Sequence, residues 1–368
     1  DFTVNPIAIS PKSTVVDLFG GQKDLAGKLV RAVGNPEERF SEDALRIMRA
    51  IRLASELDFS MEDKTRDAIK KKAGLLEFVS KERIRDEFIK LIESNVPDRG
   101  IEEMHELGVL KLVLPELEEG IGVTQNKDHV YTVWEHNVRA MAHAVEKKWP
   151  SKIRIAALLH DVGKPRTKRG EGPDSTFYGH DVVGGKMTAE ILARLKFPTN
   201  FIEDVAKLVR WHLFFSDTEV ITLSAVRRMV RNVGQENIWD LMNVRYCDRI
   251  GMGRPKERPF RLRKYESMVE EALRSPLSVS QLTVRGEDVM KICEIQPGPK
   301  IGYILHALLE EVLDDPALNA REHQEKRVGE FCRMPDVELK KLGLGAKQRK
   351  DIEEEKSVAE IRKKYFVK

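Results

Sequence analysis

The sequence predicts a mainly α-helical protein that begins with a small strand-containing segment. Short apolar runs separated by turn residues occupy residues 1–33, a pattern typical of β-strands. After residues 34–36 (Gly-Asn-Pro) the apolar residues recur at helical spacing, and this pattern continues towards the C-terminus. Gly and Pro residues mark the breaks between the predicted helices.

Composition narrows the class of protein. At roughly 150 residues per domain, 368 residues predict two to three domains. A charged fraction of 33% and a hydrophobic fraction of 41% predict a folded core, and a net charge of +3 argues against a polycation. The three cysteines lie far apart without a CxxC pair, so we expect neither a disulfide framework nor a structural zinc site, and a cytoplasmic location. There is no apolar run of the ~18 residues that a membrane span needs.

The individual elements follow in chain order. Three short strands are predicted around residues 4–9, 14–19 and 29–33. A helix is predicted to start at Ser41, and its apolar face comprises Leu45, Met48, Ile51 and Leu53. The later segments are helical, and the changes in pattern divide the chain into residues 1–33, 34–127, 128–250 and 251–368.

A basic stretch spans the boundary between the third and fourth of these segments. Residues 245–264 contain eight Lys or Arg residues against two acidic residues. Clustered cations displace counterions from nucleic acid, so this stretch is a candidate RNA contact, although a solvated loop explains it equally well. The candidate RNA-binding residues are Arg254, Lys256, Arg258, Arg261 and Arg263.

Histidine and aspartate residues form the clearest chemical pattern. His160 and Asp161 end an apolar helical run, and Gly163 and Pro165 then stop the helix. His136 precedes this pair by 24 residues and Asp248 follows it by 87. Neutral imidazole and carboxylate groups suit divalent cations such as Mg, Mn, Fe, Ni or Zn.

This order resembles that of the HD-domain phosphohydrolases, whose signature includes the string His-Asp-Val-Gly-Lys-Pro at residues 160–165. The resemblance implies a divalent metal held by His136, His160, Asp161 and Asp248, with Asp161 and Lys164 as catalytic residues and Lys164 facing the substrate phosphate. His180 and His212 stand where extended HD proteins hold a second metal, although they could simply line the pocket. A two-metal site would clamp both oxygens of a phosphoester. The remaining histidines, including His129, have no partner pattern and are predicted to be structural or exposed.

Motifs at the front of the chain point to a second family. Residues 1–8 (DFTVNPIA) are similar to the RRDFTxN motif of bacterial tRNA nucleotidyltransferases and poly(A) polymerases. Residues 17–25 (DLFGGQKDL), 42–52 (EDALRIMRAIR) and 81–87 (KERIRDE) resemble the motifs that follow it in that family. The resemblance implies a head remnant (1–33), a nucleotide-recognition neck with a helical RNA-binding segment (34–127), an inserted HD domain (128–250), and a helical tRNA-binding body and tail (251–368).

The chemistry of nucleotide reading can be argued from Asp43 and Arg46. Three residues apart on one helix, they would be neighbours on one face. A carboxylate accepts from an exocyclic amine and a guanidinium donates to a ring nitrogen or carbonyl, a pattern that C and A satisfy and G and U do not. An ordinary ion pair that supports the helix is the plain alternative. The resemblance adds Arg49, Asp1 and Asn5 to the nucleotide-binding residues, with ATP and CTP as substrates.

Nucleotidyl transfer also needs carboxylates that hold metal ions. In the family that the motifs resemble, these carboxylates form a DxD pair upstream of the arginine-rich motif. Asp17 and Asp24 belong to a different, turn-forming motif, so we expect this polypeptide not to add nucleotides by itself.

The sequence therefore predicts an enzyme of the tRNA nucleotidyltransferase family that adds C and/or A to tRNA 3′ ends and carries an HD domain that hydrolyses phosphoesters. Two alternatives stay open, a stand-alone HD phosphohydrolase acting on RNA ends or nucleotides and a non-enzymatic tRNA-binding module. The expected partners are tRNA and nucleotides, and a second copy of the chain or a separate catalytic head, without a membrane.

Overall fold

The computed structural model describes residues 1–9, 15–126, 130–214 and 221–342, and it confirms the mainly helical fold. His129, the predicted boundary at residue 128 and residues 343–368 of the predicted tail lie outside the described residues. The chain divides into two units. Unit 1 comprises Asp1–Phe214 and Trp239–Arg258, and unit 2 comprises the described parts of Phe215–Ile238 and Pro259–Lys368.

Four two-residue strands form two small sheets in unit 1. Strands β1 (Ala8–Ile9) and β2 (Val15–Val16) pair antiparallel, with Ala8 opposite Val16. Strands β3 (Leu29–Val30) and β4 (Ser60–Met61) pair in parallel. The predicted strands are thus present but shorter than expected, and β4 was missed because two residues between helices carry no periodic signal.

Helices make up most of the described chain. In its first part they are α1 (Gly21–Ala26), α2 (Pro36–Glu42), α3 (Leu45–Leu57), α4 (Asp63–Lys72), α5 (Lys81–Glu93), α6 (Pro97–Glu106), α7 (Leu110–Val113) and α8 (Pro115–Glu118). Those that follow are α9 (Val133–Glu146), α10 (Ser151–Leu159), α11 (Lys164–Thr167), α12 (His180–Arg194), α13 (Thr199–Trp211), α14 (Leu223–Val233) and α15 (Ile238–Gly251). The last are α16 (Phe260–Leu273), α17 (Gly286–Cys293), α18 (Pro299–Asp314), α19 (Arg321–Phe331) and α20 (Asp336–Leu342). Short 3₁₀ helices span Ala73–Phe78, Gly172–Asp174, Val279–Gln281 and Pro316–Asn319.

The predicted helix start at Ser41 is wrong. Pro36 occupies the first turn of α2, and the side chain of Asn35 accepts a hydrogen bond from the Glu37 amide, so a separate short helix begins there. Asp43 has an extended backbone that ends α2, and α3 begins at Leu45. The predicted apolar face of α3 is confirmed, because all four of its residues, Leu45, Met48, Ile51 and Leu53, are buried.

Helix α10 packs against three other helices of unit 1, namely α5, α9 and α13. The residues of α10 from Ile153 to Leu159 are apolar and buried except Arg154, as expected for a helix surrounded by others. Helices α12 and α13 pack extensively against each other. This packing brings the ends of several helices towards the end of α10.

In unit 2, helix α18 contacts α14, α17, α19 and α20. The buried Arg227 of α14 donates hydrogen bonds to the carbonyl oxygens of Leu313 (3.0 Å) and Asp314 (3.3 Å) and so satisfies the C-terminal end of α18. None of the helices in the described part of the chain has both the length and the apolar character needed to cross a membrane.

The sequence analysis expected no disulfide framework, but the structure contains a disulfide. Cys293, at the end of α17, is bonded to Cys332, which follows α19, and their Cα atoms lie 5.4 Å apart. Helices α17 and α19 pack together, which brings into contact two cysteines that are 39 residues apart in sequence. Cys247 is buried and free.

Candidate metal centre and nucleotide-binding cluster

Six buried side chains meet in unit 1 near the ends of five helices. His136 lies in the first turn of α9, where Thr132 and Glu135 form a reciprocal capping box. The other five are placed by the end of α10, the start of α12, the end of α13 and the last turns of α15. None of the six is more than 6% exposed: His136, His160, Asp161, His180, His212 and Asp248.

The first group of donor atoms surrounds a single point. The Nε2 atoms of His136 and His160 lie 2.8 Å apart. Oδ1 of Asp248 is 3.4 Å from the first of these nitrogens and 3.7 Å from the second. Ligands bonded at about 2.0–2.2 Å to one cation are separated by such distances. These three residues can therefore share a metal ion.

A second group lies next to the first. Oδ1 of Asp161 is 3.3 Å from Nε2 of His180 and 3.5 Å from Nε2 of His212. The other oxygen of the same carboxylate, Oδ2, lies 3.1 Å from Nε2 of His136 in the first group. Asp161 thus faces both groups, one oxygen to each, as a carboxylate shared by two cations would.

Hydrogen bonds fix the orientation of three of these imidazole rings. Because a carbonyl oxygen only accepts, each ring must carry a proton on Nδ1, and its Nε2 atom then faces the site. The three bonds run from His160 to the carbonyl of Ala157 (2.7 Å), from His180 to that of Phe177 (2.6 Å) and from His212 to that of Val209 (2.7 Å). This arrangement is the one that metal-binding histidines adopt, so the donor set fits a divalent metal.

Electrostatics set the charges of the cluster. Burial opposes the charged form of Asp161, but Lys164 and His160 outweigh it and hold the pKa of Asp161 well below its usual range. Burial likewise opposes the charge of His160, while Asp161 and Asp248 overcome it and raise the pKa of His160 to about 10. Burial lowers the pKa of His212. The cluster therefore combines ionised carboxylates with both charged and neutral rings.

A cavity of about 480 Å³ opens onto the cluster. Lys164 is 6% exposed and donates from Nζ to Oδ2 of Asp161 at 2.5 Å and to Oε1 of Gln125 at 2.6 Å. Arg245 also lines the cavity and pairs with Oδ2 of Asp248 at 2.5 Å. The aromatic side chain of Tyr178 lines it too and is 83% exposed. Two cations beside a group of metal-ligand atoms suit an anionic substrate such as a phosphoester.

The predicted nucleotide-binding residues only partly come together. Asp1 accepts from Nε of Arg46 at 2.8 Å and from Nη1 of Arg49 at 2.5 Å. Arg46 also pairs with Glu42 at 2.6 Å. The side chain of Asn5 is exposed, and the described residues show no bond from it to this cluster.

The predicted placement of Asp43 and Arg46 on one helix face is wrong. Asp43 precedes α3 and accepts a hydrogen bond from the Leu45 amide. Its Oδ2 atom pairs instead with Nη2 of Arg83, on α5, at 2.8 Å. Arg83, from the separate helix α5, therefore helps to orient the carboxylate of Asp43.

The residues of the basic stretch belong to both units. Arg254, Lys256 and Arg258 lie in unit 1, where the guanidinium of Arg258 lies 5.8 Å from the ring centre of Tyr246. Arg261 and Arg263 are exposed on α16 in unit 2.

Sequence reasoning did not single out Gln125, Arg83 or Arg245 as site residues. Arg245 precedes Asp248 by three residues on one helix, a spacing that could have indicated the ion pair. Arg83 lay within one of the quoted motifs, but its partner is 40 residues away. Gln125 lies in a loop, and no motif or spacing in the sequence indicated a role for it.

Two family models match the chain. Residues 58–121 match the family described as "Probable RNA and SrmB- binding site of polymerase A", and residues 128–273 match the HD domain.

Two relatives and one solved structure are similar over most of the chain. An A-adding tRNA nucleotidyltransferase from Deinococcus radiodurans is 36% identical over 323 residues, which are 84% of this chain and 73% of that protein. A CC-adding tRNA nucleotidyltransferase from Thermus thermophilus is 34% identical over 321 residues, 84% of this chain and 71% of that protein. The crystal structure of a CCA-adding enzyme from Bacillus stearothermophilus in complex with CTP aligns with a TM-score of 0.63 at 23% identity, covering 90% of this chain and 73% of that one, which indicates a shared fold.

Proposed function

Because this chain belongs to the tRNA nucleotidyltransferase family, we propose that it takes part in adding C and/or A to the 3′ ends of tRNA, with CTP and ATP as substrates. The observation that carries the proposal is the similarity to two such enzymes along 84% of the chain. One of these relatives is A-adding and the other CC-adding at nearly the same identity, so the proposal includes both nucleotides.

The base-reading groups of the proposal are Asp43 and Arg46. The carboxylate of Asp43 accepts from the exocyclic amine that C and A share, and the guanidinium of Arg46 donates to the neighbouring ring acceptor. Asp1 holds Arg46 and Arg49, and Arg83 holds Asp43, so that both reading groups are fixed before a nucleotide binds. Asn5 remains a predicted contributor from the neighbouring turn.

Equilibrium binding tests this proposal without requiring transfer. The chain should bind CTP and ATP more tightly than UTP and GTP, and Arg46→Ala and Asp43→Ala should abolish that preference. Equal affinity for all four nucleotides in the unaltered chain would refute the base-reading role. The expectation that the catalytic carboxylates lie outside this polypeptide is tested separately, by assaying tRNA extension with and without a separate head that carries a DxD pair.

We propose that the same polypeptide also hydrolyses phosphoesters at the histidine–aspartate cluster. The observation that favours this second activity is the convergence of three oriented imidazole rings on the carboxylate of Asp161. The proposed metal ligands are His136, His160, Asp161 and Asp248, with His180 and His212 completing a second position. When bound, a divalent cation such as Mg, Mn or Ni stabilises the negative charge of the phosphoryl group.

The chain's own residues perform the remaining tasks in this proposal. Lys164 donates to a phosphate oxygen, and Asp161 holds Lys164 in place through the 2.5 Å ion pair. Arg245 provides a second cation at the cavity wall. Attack by water on phosphorus forms a new P–O bond and breaks the ester P–O bond, and the proton lost by the water neutralises the departing alkoxide as the alcohol.

Metal analysis and turnover test the hydrolase proposal together. The purified chain should contain a divalent metal and hydrolyse a nucleoside 2′,3′-cyclic phosphate, and the double variant His160→Ala/Asp161→Ala should lose both properties. His306→Ala, in unit 2, is the matched control. Unchanged turnover in the double variant would exclude the cluster as the site.

The wider context of the proposal is a cytoplasmic protein that binds tRNA through two regions. The first lies within residues 58–121 and the second includes the basic stretch Arg254, Lys256, Arg258, Arg261 and Arg263. The proposal also divides the chain into four parts, residues 1–33, 34–127, 128–250 and 251–368. The alternative of a stand-alone phosphohydrolase predicts hydrolysis without nucleotide discrimination, and the alternative of a binding module predicts tRNA binding with neither activity.

A further inference from the structure

Lys164 is held from two sides inside the cavity of unit 1. Its ammonium group donates to Oδ2 of Asp161 at 2.5 Å and to Oε1 of Gln125 at 2.6 Å. Both residues are buried, since Lys164 is 6% exposed and Gln125 is 8% exposed. An ammonium group has three protons, so two fixed partners leave one proton to point elsewhere.

The amide group of Gln125 has a defined orientation. Its Nε2 atom donates to the carbonyl oxygen of Tyr131 at 3.1 Å and to that of Thr132 at 3.4 Å. A rotation by 180° would place the amide oxygen against two other oxygens and its NH₂ group against the ammonium of Lys164. Both ends of the amide therefore select the same orientation, with Oε1 towards Lys164.

The loop that carries Gln125 is itself fastened to α9. The Val133 amide donates to the carbonyl of Val123 at 2.9 Å, and Thr132 caps the helix through its capping box. On the other side, Nδ2 of Asn126 donates to the carbonyl of Ser175 at 2.8 Å. Gln125 thus connects Lys164 to the backbone at the start of the helix that carries His136.

We propose that Gln125 is a positioning residue that aims Lys164 at the phosphate of the substrate, an inference that rests on the proposed hydrolysis at this site. Asp161 alone would let the ammonium group swing about one ion pair. The second, neutral acceptor fixes the direction of the remaining proton without adding a negative charge that would repel a phosphate. Gln125 acts through Lys164 and does not touch the substrate.

Gln125→Leu tests the proposal because it keeps the volume and removes both halves of the amide. A hydrogen bond to a charged group is worth about 1.5 kcal/mol or more, so the KM for the cyclic phosphate and the Kd for inorganic phosphate should rise about tenfold in the metal-loaded chain. The metal content should stay unchanged. Thr124→Val is the matched control, because this exposed neighbour bonds Lys168 at 3.2 Å and does not line the cavity.

A double-mutant cycle separates positioning from a general structural role. Placed on Lys164→Ala, the Gln125→Leu change should have no further effect on the KM or on phosphate binding. An equal loss in both backgrounds, or no loss in the first, would overturn the proposal. Gln125→Met, which fills the same space with a flexible side chain, replaces Gln125→Leu if thermal melting shows that the latter is unfolded.

Phosphate binding also distinguishes this inference from the proposed function. If the unaltered chain shows no turnover but binds phosphate in a Gln125- and Lys164-dependent manner, hydrolysis is refuted and the positioning role stands. If turnover is present and Gln125→Leu leaves both constants unchanged, the positioning role is refuted and hydrolysis stands. If the unaltered chain does not bind phosphate at all, both fail.

Discussion

At the scale of single residues, the charge of His160 links metal binding to pH. Two buried carboxylates outweigh the effect of burial and raise the pKa of this ring to about 10. When no metal is bound, the ring is therefore protonated on both nitrogens and positively charged at neutral pH. A metal ligand must be a neutral imidazole. Any cation that binds through His160 therefore displaces a proton, and its apparent affinity rises with pH up to about the pKa of the ring.

We expect binding of Mn²⁺ at pH 7 to release about one proton from this residue. Isothermal titration in buffers of different ionisation enthalpy measures the release, because the observed heat then varies with the buffer. His160→Gln is the control, and any Mn²⁺ that this variant still binds should release fewer protons. Heats that are identical in all buffers for the unaltered chain would contradict the assignment.

Arg83 offers a second test at this scale. It holds Asp43 at 2.8 Å from another helix, so Arg83→Ala should leave the proposed base-reading carboxylate with only the Leu45 amide to orient it. The Kd for CTP and ATP should rise by up to about fivefold, the range of an exposed ion pair, while the weak binding of GTP should not change. Arg99→Ala removes a comparable pair, Arg99 to Asp58 at 2.8 Å, and should leave all these constants unchanged. A parallel loss for GTP would indicate a general effect on folding instead.

At the scale of elements, the site depends on how closely the turn after α10 approaches α12. A Cβ atom on Gly163 would lie 2.4 Å from the carbonyl oxygen of His180 and 2.7 Å from the amide nitrogen of Gly184. Both are backbone atoms of α12, so relief requires the helix start to move. His180 is the first residue of that helix and would move with it.

Gly163→Ala should therefore destabilise unit 1 by about 1–3 kcal/mol, as overpacking does, and weaken binding at the proposed second metal position. Denaturant unfolding followed by tryptophan fluorescence and the metal content of the variant measure the two effects. Gly74→Ala is a suitable control, because a Cβ there meets no atom within 4 Å. Equal stability of both variants would show that α12 can shift without cost.

At the scale of the whole molecule, RNA binding should depend on salt through the basic stretch. Each cation that neutralises a phosphate contributes about 0.9 to the slope of log K against log salt for a duplex. Replacing Arg254, Lys256 and Arg258 by Ala should therefore reduce the slope for tRNA by up to about 3. Replacing the exposed Lys23, Lys148 and Lys326 instead should leave it unchanged. Filter binding between low and high salt gives both slopes, and equal slopes for the two triple variants would exclude the stretch as a contact.

The helical fold, and the meeting of these histidines and aspartates in one cluster, could be predicted from the sequence because several of the residues stand beside a local signal. His160 and Asp161 end an apolar run, and His212 ends a helix. The partners of Asp43 and Lys164 could not be predicted, since Arg83 and Gln125 approach them from distant parts of the chain. The bond between Cys293 and Cys332 likewise depends on the packing of two helices and not on a spacing motif.

The discontinuity of unit 2 has a consequence for synthesis on the ribosome. Helix α14 packs against α16 and α18, but the residues from Trp239 to Arg258 that separate them in sequence belong to unit 1. A growing chain therefore emerges with α14 well before either of its packing partners exists. Val226, Val230 and Val233 of α14 are fully buried in the folded protein. In the nascent chain this apolar face stays exposed to solvent until α16 and α18 have formed. Apolar surface that is exposed in this way before a domain is complete favours aggregation, so the order of synthesis adds a risk of misfolding at α14.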